Sequence, residues 1–93
     1  MDLVRMLKIE AKPEVTGTVR LALAGSLHAN SLGELRRAID RVRRQRFHRV
    51  ALDLSEITLA DRASIDFLAQ QSREEIELIN CPAYLEPWIA RER

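Results

Sequence analysis

A strand followed by a capped helix is predicted by residues 50–68, which read VALDLSEITLADRASIDFL. The first five residues, Val50 to Leu54, are apolar except for Asp53, a pattern typical of a short strand buried on both faces. Helical spacing of apolar residues then predicts a helix from about Asp61 to about Arg73. Asp61 is placed to accept hydrogen bonds from the free N–H groups of the first turn, typically worth about 1 kcal/mol.

Upstream of this segment, two alternating stretches predict a β-hairpin. In the first, Leu7 and Ile9 alternate with charged residues, and the second reads TVRLALAG, residues 18–25. Pro13 and Gly17 lie between the two stretches and indicate the turn. We expect Gly25 to end the second strand.

The segment SLGELRRAIDRVRRQRF, residues 31–47, predicts the first helix. Ser31 and Glu34 have the spacing of a capping box, in which each side chain satisfies a backbone donor at the helix start. The apolar residues that recur at helical spacing are Leu32, Leu35, Ile39 and Val42. We expect His48 to lie at the end of this helix, where a cation or a donor is favourable.

Downstream, the stretch IELI, residues 76–79, predicts a short strand at an edge of the sheet. Pro82 and Pro87 restrict a terminal helix to a late start, because proline is tolerated only in the first helical turn. Residues 1–93 are therefore expected to form a single α/β domain. An opening hairpin should be followed by right-handed βα units with a mainly parallel sheet and helices packed on it.

Composition excludes several classes of protein. The 93 residues are 46% hydrophobic and 31% charged, as in a globular domain, and the net charge of +1 argues against nucleic acid as a partner. A single cysteine, Cys81, allows no internal disulfide. The first ten residues lack the apolar core of a signal peptide, and no stretch approaches the roughly 20 apolar residues of a membrane span. We expect a soluble, cytoplasmic protein that does not insert into membranes.

No catalytic, metal or cofactor site is predicted. His28 and His48 have no cysteine or carboxylate partners at the spacing of metal ligands. A Ser-His-Asp arrangement of Ser64, His28 and Asp53 stays open from the sequence, but no G-x-S-x-G motif supports it. The three glycines do not form a phosphate-binding loop. The expectation is a protein that is not an enzyme.

The order of these elements, with VALDLSEITLADRASIDFL at the centre, resembles the STAS domain of sulphate transporters and anti-sigma factor antagonists. In that family a strand ending in Asp is followed by Asp-Ser-Ser-Gly-Leu at the start of a helix. Asp53 falls on the strand aspartate, and DRASI, residues 61–65, falls on the second motif. The stretch LAGSLH, residues 23–28, is similar to the family's Gly-x-Leu-Asp segment, with His28 in place of Asp. The resemblance covers roughly residues 17 to 80.

The resemblance implies a bacterial regulatory domain that binds a protein. The implied partner is a kinase-type anti-sigma factor or another ATPase, and transcription regulation is the implied process. The residues that the resemblance places on the binding surface are Asp53, Asp61, Arg62, Ala63 and Ser64. Family members of the antagonist type are switched by a phosphate on the second Ser of the motif, where this chain has Ala63. The chain is also short relative to the family, which usually adds another strand and helix after IELI.

Three alternatives remain open from the sequence. The first is an accessory STAS subunit of a transporter ATPase. The second is a small phosphate- or nucleic-acid-binding module that uses the seven arginines between Arg36 and Arg49, although basic residues opposite an apolar stripe usually form a solvated helix face. The third is a degraded hydrolase. Separately, Tyr84 and Trp88 either cover an open part of the sheet or form an exposed docking patch. An open edge at residues 76–79 predicts either homodimer formation or shielding by the terminal helix that carries Trp88.

Overall fold

The chain folds as one four-stranded sheet with three helices in a computed structural model that describes residues 7–15, 17–45 and 47–92. A short 3₁₀ turn, Ala29–Ser31, precedes the first helix. The strands are β1 (Leu7–Pro13), β2 (Thr18–Leu27), β3 (Arg49–Ala60) and β4 (Glu77–Ile79), and the helices are α1 (Leu32–Arg44), α2 (Arg62–Arg73) and α3 (Glu86–Glu92). The predicted order of strands and helices is confirmed.

The sheet is mixed, with the strand order β1-β2-β3-β4. β1 and β2 form the predicted antiparallel hairpin, whereas β3 is parallel to both β2 and β4. The sheet therefore has β1 and β4 at its edges, which confirms an antiparallel strand at one edge and residues 77–79 at the other. The α/β class predicted from the sequence is correct.

One face of the sheet carries the hydrophobic core. Leu21, Leu52 and Leu78 are aligned across β2, β3 and β4 on this face, and the first two are fully buried. The apolar sides of α1 and α2 join the same cluster, because their amphipathic spacing directs one stripe of each helix at the sheet. The two helices also meet directly, since the Arg36 guanidinium lies 5.0 Å from the centre of the Phe67 ring.

The opposite face of the sheet is polar. Alternation along the strands directs Lys8 and Lys12 of β1, Arg20 of β2 and Asp53 of β3 away from the core side. No helix in the described part of the chain lies on this face, so the domain has two layers. None of the described helices is long and apolar enough to cross a membrane.

Two strands are longer than the sequence predicts. β3 continues from the expected end at Leu54 to Ala60, and β2 continues past Gly25 to Leu27. Their parallel pairing extends to Leu27 and Ala60, with register shifts on either side of Gly25, which has a φ of 107°. The prediction that Gly25 ends β2 is wrong, because glycine allows an irregular residue inside the strand without ending it.

The start of α1 also differs from the sequence prediction. Ser31 has helical dihedral angles, φ −90° and ψ −13°, and its side chain caps no backbone N–H. The predicted capping box is therefore wrong. The 3₁₀ turn already brings the chain into the helix, so Ser31 does not have the extended conformation of a capping residue.

His48 does not end α1, which stops at Arg44. It lies before β3, where its backbone N–H donates to the Gly17 carbonyl at 2.7 Å. Gly17 has a φ of 83°, and a Cβ there would lie 2.7 Å from the His48 ring. His48 thus packs against the hairpin turn, and only glycine fits that close approach.

Candidate functional site

The start of α2 is fixed by Asp61, the residue that follows β3. Its extended backbone, φ −82° and ψ 175°, is that of a capping residue, and Oδ1 accepts the Ser64 N–H at 2.9 Å. The Ser64 hydroxyl donates to the same oxygen at 2.7 Å. Oδ2 accepts the Ala29 N–H at 2.9 Å, which joins the start of α2 to the turn after β2. The predicted helix cap is confirmed.

The Asp61 carboxylate is held in its ionised form. Burial opposes ionisation, but the hydrogen bonds from Ser64 and Ala29, together with the nearby His28, outweigh it and lower the pKa of Asp61. With both oxygens accepting hydrogen bonds, this carboxylate supports the local structure.

Ser64 is fully buried, whereas Ala63 beside it is exposed. Successive helical residues point about 100° apart, which explains how neighbours differ so strongly. The Ser64 hydroxyl is bonded to Asp61, and neither oxygen of Asp53 bonds to His28 or Ser64. The arrangement of Ser64, His28 and Asp53 considered from the sequence is therefore not brought together as a catalytic triad.

Asp53 lies within β3 and not at its carboxyl end as the sequence suggested. Its Oδ2 accepts from the Arg20 guanidinium at 2.8 Å, and Oδ1 accepts the Ser55 N–H at 3.0 Å and the Asn80 amide at 3.2 Å. Arg20 also bonds to Glu14 at 3.0 Å. These contacts join β2, β3 and the residue after β4 on the polar face of the sheet.

The charge on Asp53 follows from the same contacts. Burial opposes ionisation, but hydrogen bonds from Ser55, Asn80 and Arg20 outweigh it and lower the pKa of Asp53. Glu14 and Asp53 in turn raise the pKa of Arg20. Seven residues of β3 lie between Asp53 and Asp61, which corresponds to roughly 25 Å along an extended strand. The two aspartates therefore belong to different parts of the surface.

Arg62, the first residue of α2, is 71% exposed at its side chain. It bonds to Asp66 at 3.4 Å and to Glu92 of α3 at 3.0 Å. Arg73, at the other end of α2, donates to the Glu92 carbonyl at 2.6 Å. α3 is thus attached along the outer side of α2.

An apolar groove of about 390 Å³ lies beside Arg62. Three of its side chains are large and about half exposed, namely Leu59 (53%), Tyr84 (49%) and Trp88 (51%). Its remaining lining residues are Ala60, Arg62, Ile65 and Leu85. We name this surface the α2–α3 groove.

The sequence suggested part of this groove. Leu85 and Ile89 are buried, as expected for a terminal helix that covers the core, whereas Tyr84 and Trp88 stay half exposed. The Tyr84 hydroxyl donates to the Ile57 carbonyl, which fixes the ring against β3, and burial raises the pKa of this hydroxyl. Leu59 was missed, because the predicted strand ended before it.

No family model and no curated protein matches this chain. Among the described residues, no three His, Cys, Asp or Glu side chains are grouped as metal ligands. The candidate site is therefore defined by the geometry at the start of α2 and by the α2–α3 groove.

Proposed function

We propose that this chain is a STAS-like regulatory domain that binds a partner protein and catalyses no reaction. The partner fits the α2–α3 groove together with the exposed start of α2. In the bacterial anti-sigma antagonist type that the sequence resembles, such a partner is a kinase-type anti-sigma factor or another ATPase in the cytoplasm.

The exposed apolar groove carries this proposal. Leu59, Tyr84 and Trp88 form a contiguous, half-exposed set of large side chains beside an exposed arginine. Exposed apolar patches that are rimmed by polar residues are typical of protein interaction sites, and aromatic residues and arginine are enriched among interface residues with large binding energies. A groove of about 390 Å³ accommodates one or two apolar side chains of a partner.

The position of the groove agrees with the resemblance. The family's binding surface includes the start of the helix after the Asp-Ser-Ser-Gly-Leu motif, and Arg62 and Ala63 occupy exposed positions of that helix start here. The hydrogen bonds between Asp61 and Ser64 hold the first turn of α2, which carries these positions, in place. Asp53, in contrast, is assigned a role in stabilising the sheet.

Binding is proposed to be constitutive. Ala63 has no hydroxyl, and the Ser64 hydroxyl is buried and bonded to Asp61, so a kinase would have to open the start of α2 to reach it. A phosphate on Ser64 would also lie against the Asp61 carboxylate, whose like charge opposes it. The intact mass of protein purified from its host should therefore show no phosphate on Ser64, and a substantial phosphorylated fraction there contradicts constitutive binding.

Co-purification from the native host tests the partner. We expect wild-type protein to retain an ATPase-type protein, identified by mass spectrometry, and Leu59→Ser and Arg62→Glu to lose it. Val15→Ser is the matched control, because Val15 is a large exposed apolar residue in the hairpin, outside the groove. Retention of the same protein by all four forms contradicts the proposed surface, and recovery of only non-ATPase proteins contradicts the proposed partner class.

A further inference from the structure

A second surface lies between α1 and the outer edge of the hairpin. It is a cleft of about 280 Å³ whose floor is aliphatic. One side of α1 forms its wall and carries two arginines at its mouth. The lining residues are Ile9, Ala11, Leu21, Glu34, Arg37, Ala38, Arg41, Val42 and Gln45.

The backbone of β1 is open beside this cleft. The Glu14 N–H donates to the Thr18 carbonyl at 3.0 Å, so this pair is hydrogen-bonded. In an antiparallel ladder, hydrogen-bonded pairs alternate with pairs that are not hydrogen-bonded. Because the register of β1 and β2 is constant, Ile9 and Ala11 belong to pairs of the second kind, and their backbone N–H and C=O groups point away from β2. No strand in the described part of the chain pairs with that outer edge.

The charge around this edge is predominantly positive. Arg37 and Arg41 lie at the mouth of the cleft, and Lys8 and Lys12 lie on the opposite face of β1. Within residues 7–15, 17–45 and 47–92, none of these four side chains forms an ion pair. Glu34 also lines the cleft and Glu10 lies on the face of Lys8 and Lys12, so cations outnumber acids among the described residues of this edge.

We propose that this edge binds an extended acidic segment of a partner protein, which pairs with β1 as a fifth strand. Residues opposite Ile9 and Ala11 would direct their side chains to the cleft side, where Arg37 and Arg41 lie. The intervening residues would face Lys8 and Lys12. Main-chain hydrogen bonds to an open edge supply affinity, and the alternating cations select acidic side chains on both faces.

The chemistry of the cleft favours a peptide over a nucleic acid. The open N–H and C=O groups of Ile9 and Ala11 match a β-strand, and the floor is aliphatic. No aromatic side chain lines the cleft, so nucleic-acid bases have no stacking platform there. The cleft shares no lining residue with the α2–α3 groove, so the proposal stands independently of the proposed function.

Fluorescence anisotropy tests the proposal with a labelled seven-residue peptide of six Glu residues around a central Val, which presents carboxylates on both faces of a strand; β1 itself has seven residues. We expect micromolar binding that weakens with salt. A peptide with Lys in place of Glu, and a Glu peptide whose central Val is replaced by Pro, should not bind. Absence of binding by the Glu-Val peptide, or equal binding by the proline peptide, overturns the proposal.

Variants locate the site. Arg37→Gln with Arg41→Gln should weaken binding by about tenfold, whereas Arg44→Gln with Arg49→Gln removes the same charge outside the cleft and should have little effect. Ala11→Pro removes one outward N–H without changing charge, and an edge strand tolerates it because that N–H makes no bond to β2. This variant should fold and lose binding. Equal binding by all variants, or DNA binding that depends on Arg37 and Arg41 with comparable affinity, overturns the proposal.

Discussion

Asp53 and Asp61 belong to one sequence segment and have similar chemistry, yet they lie in different parts of the molecule. Asp53 is buried and Asp61 is half-buried, and each carboxylate accepts three hydrogen bonds and has a lowered pKa. Asp53 connects three strands on the polar face of the sheet, whereas Asp61 connects the start of α2 to the turn after β2. An exposed apolar groove lies near Asp61 and not near Asp53. Both aspartates support the fold, and only the neighbouring apolar surface places Asp61 beside the proposed binding surface.

The largest effect is expected from Asp53→Ala. Removing this carboxylate leaves the half-buried Arg20 without its strand partner and leaves the Ser55 N–H unsatisfied. We expect the free energy of unfolding to fall by about 2–3 kcal/mol, measured by urea denaturation. Glu77→Ala is the control, because Glu77 is exposed on the same face and should change stability by less than about 0.5 kcal/mol. Equal losses in the free energy of unfolding for Asp53→Ala and Glu77→Ala would show that the contacts of Asp53 do not stabilise the fold.

Asp61→Ala should cost less, about 1–2 kcal/mol, because the helix cap and the bonds to Ala29 and the Ser64 hydroxyl that it removes all come from neutral donors, whereas Asp53→Ala also removes an ion pair. Asp61→Asn keeps an accepting oxygen and should retain most of the stability in the same urea titration. Equal losses in the free energy of unfolding for Asp61→Ala and Asp53→Ala would contradict the larger contribution that we expect from Asp53.

Acid should destabilise the domain through both carboxylates. The pKa values of Asp53 and Asp61 are lower in the folded chain than the ordinary value of 3.8. At a pH between the folded pKa and 3.8, the unfolded chain therefore binds more protons than the folded chain. Stability is therefore fully present above about pH 4 and decreases as the pH falls through the folded pKa values. Urea titrations at a series of acidic pH values should show this decrease in wild type and a shallower one in Asp53→Asn, and identical slopes would mean that Asp53 does not contribute.

The groove residues should affect stability little. Leu59 is about half exposed at the end of β3, so Leu59→Ser should change the free energy of unfolding by about 0.5 kcal/mol or less while it removes partner binding. Circular dichroism melting of this variant, with Val15→Ser beside it, separates a binding defect from unfolding. A stability loss as large as that of Asp61→Ala would show that Leu59 belongs to the core and not to a binding surface.

The smallest change is expected on α1. Replacing Arg37, Arg41 and Arg44 together by Gln should change stability by no more than about 0.5 kcal/mol, because all three are exposed. Thermal melting without the acidic peptide measures stability, and melting with the peptide measures the stabilisation that peptide binding adds. A large loss of stability in the absence of peptide would show that these arginines support the fold.

Local patterns predicted the succession of strands and helices. The alternation before Gly25, the apolar stripe of α1 and the Asp61 cap each depend on residues that lie close together in the sequence, and each appears as expected apart from its bounds. Of the residues predicted to bind a partner, Asp61, Arg62, Ala63 and Ser64 lie together at the start of α2, and their role in binding stays a prediction. Asp61 was recognised as a helix cap because capping involves only residues that are close together in the sequence.

Other features depended on residues far apart in the sequence. β3 extends to Ala60 because β2 offers backbone partners along that length. The local signal there is only the short alternation of Ile57 and Leu59 with polar residues, which the sequence prediction did not use. Ser31 does not cap α1 because a 3₁₀ turn precedes the helix. The first N–H of that turn belongs to Ala29 and donates to Asp61, which lies thirty-two residues further along the chain. Leu59, Tyr84 and Trp88 form a groove only after α3 packs on α2.

The sequence by itself determined the α/β class, the hairpin and the helix start at Asp61, because amphipathic spacing and capping are short-range effects. Only the tertiary structure decided that Asp53 and Asp61 are separated, that Ser64 is buried while Ala63 is exposed, and which apolar side chains stay at the surface. Those outcomes depend on the register between strands and on which helix covers which part of the sheet. Contacts between distant residues fix both, and no local spacing encodes them.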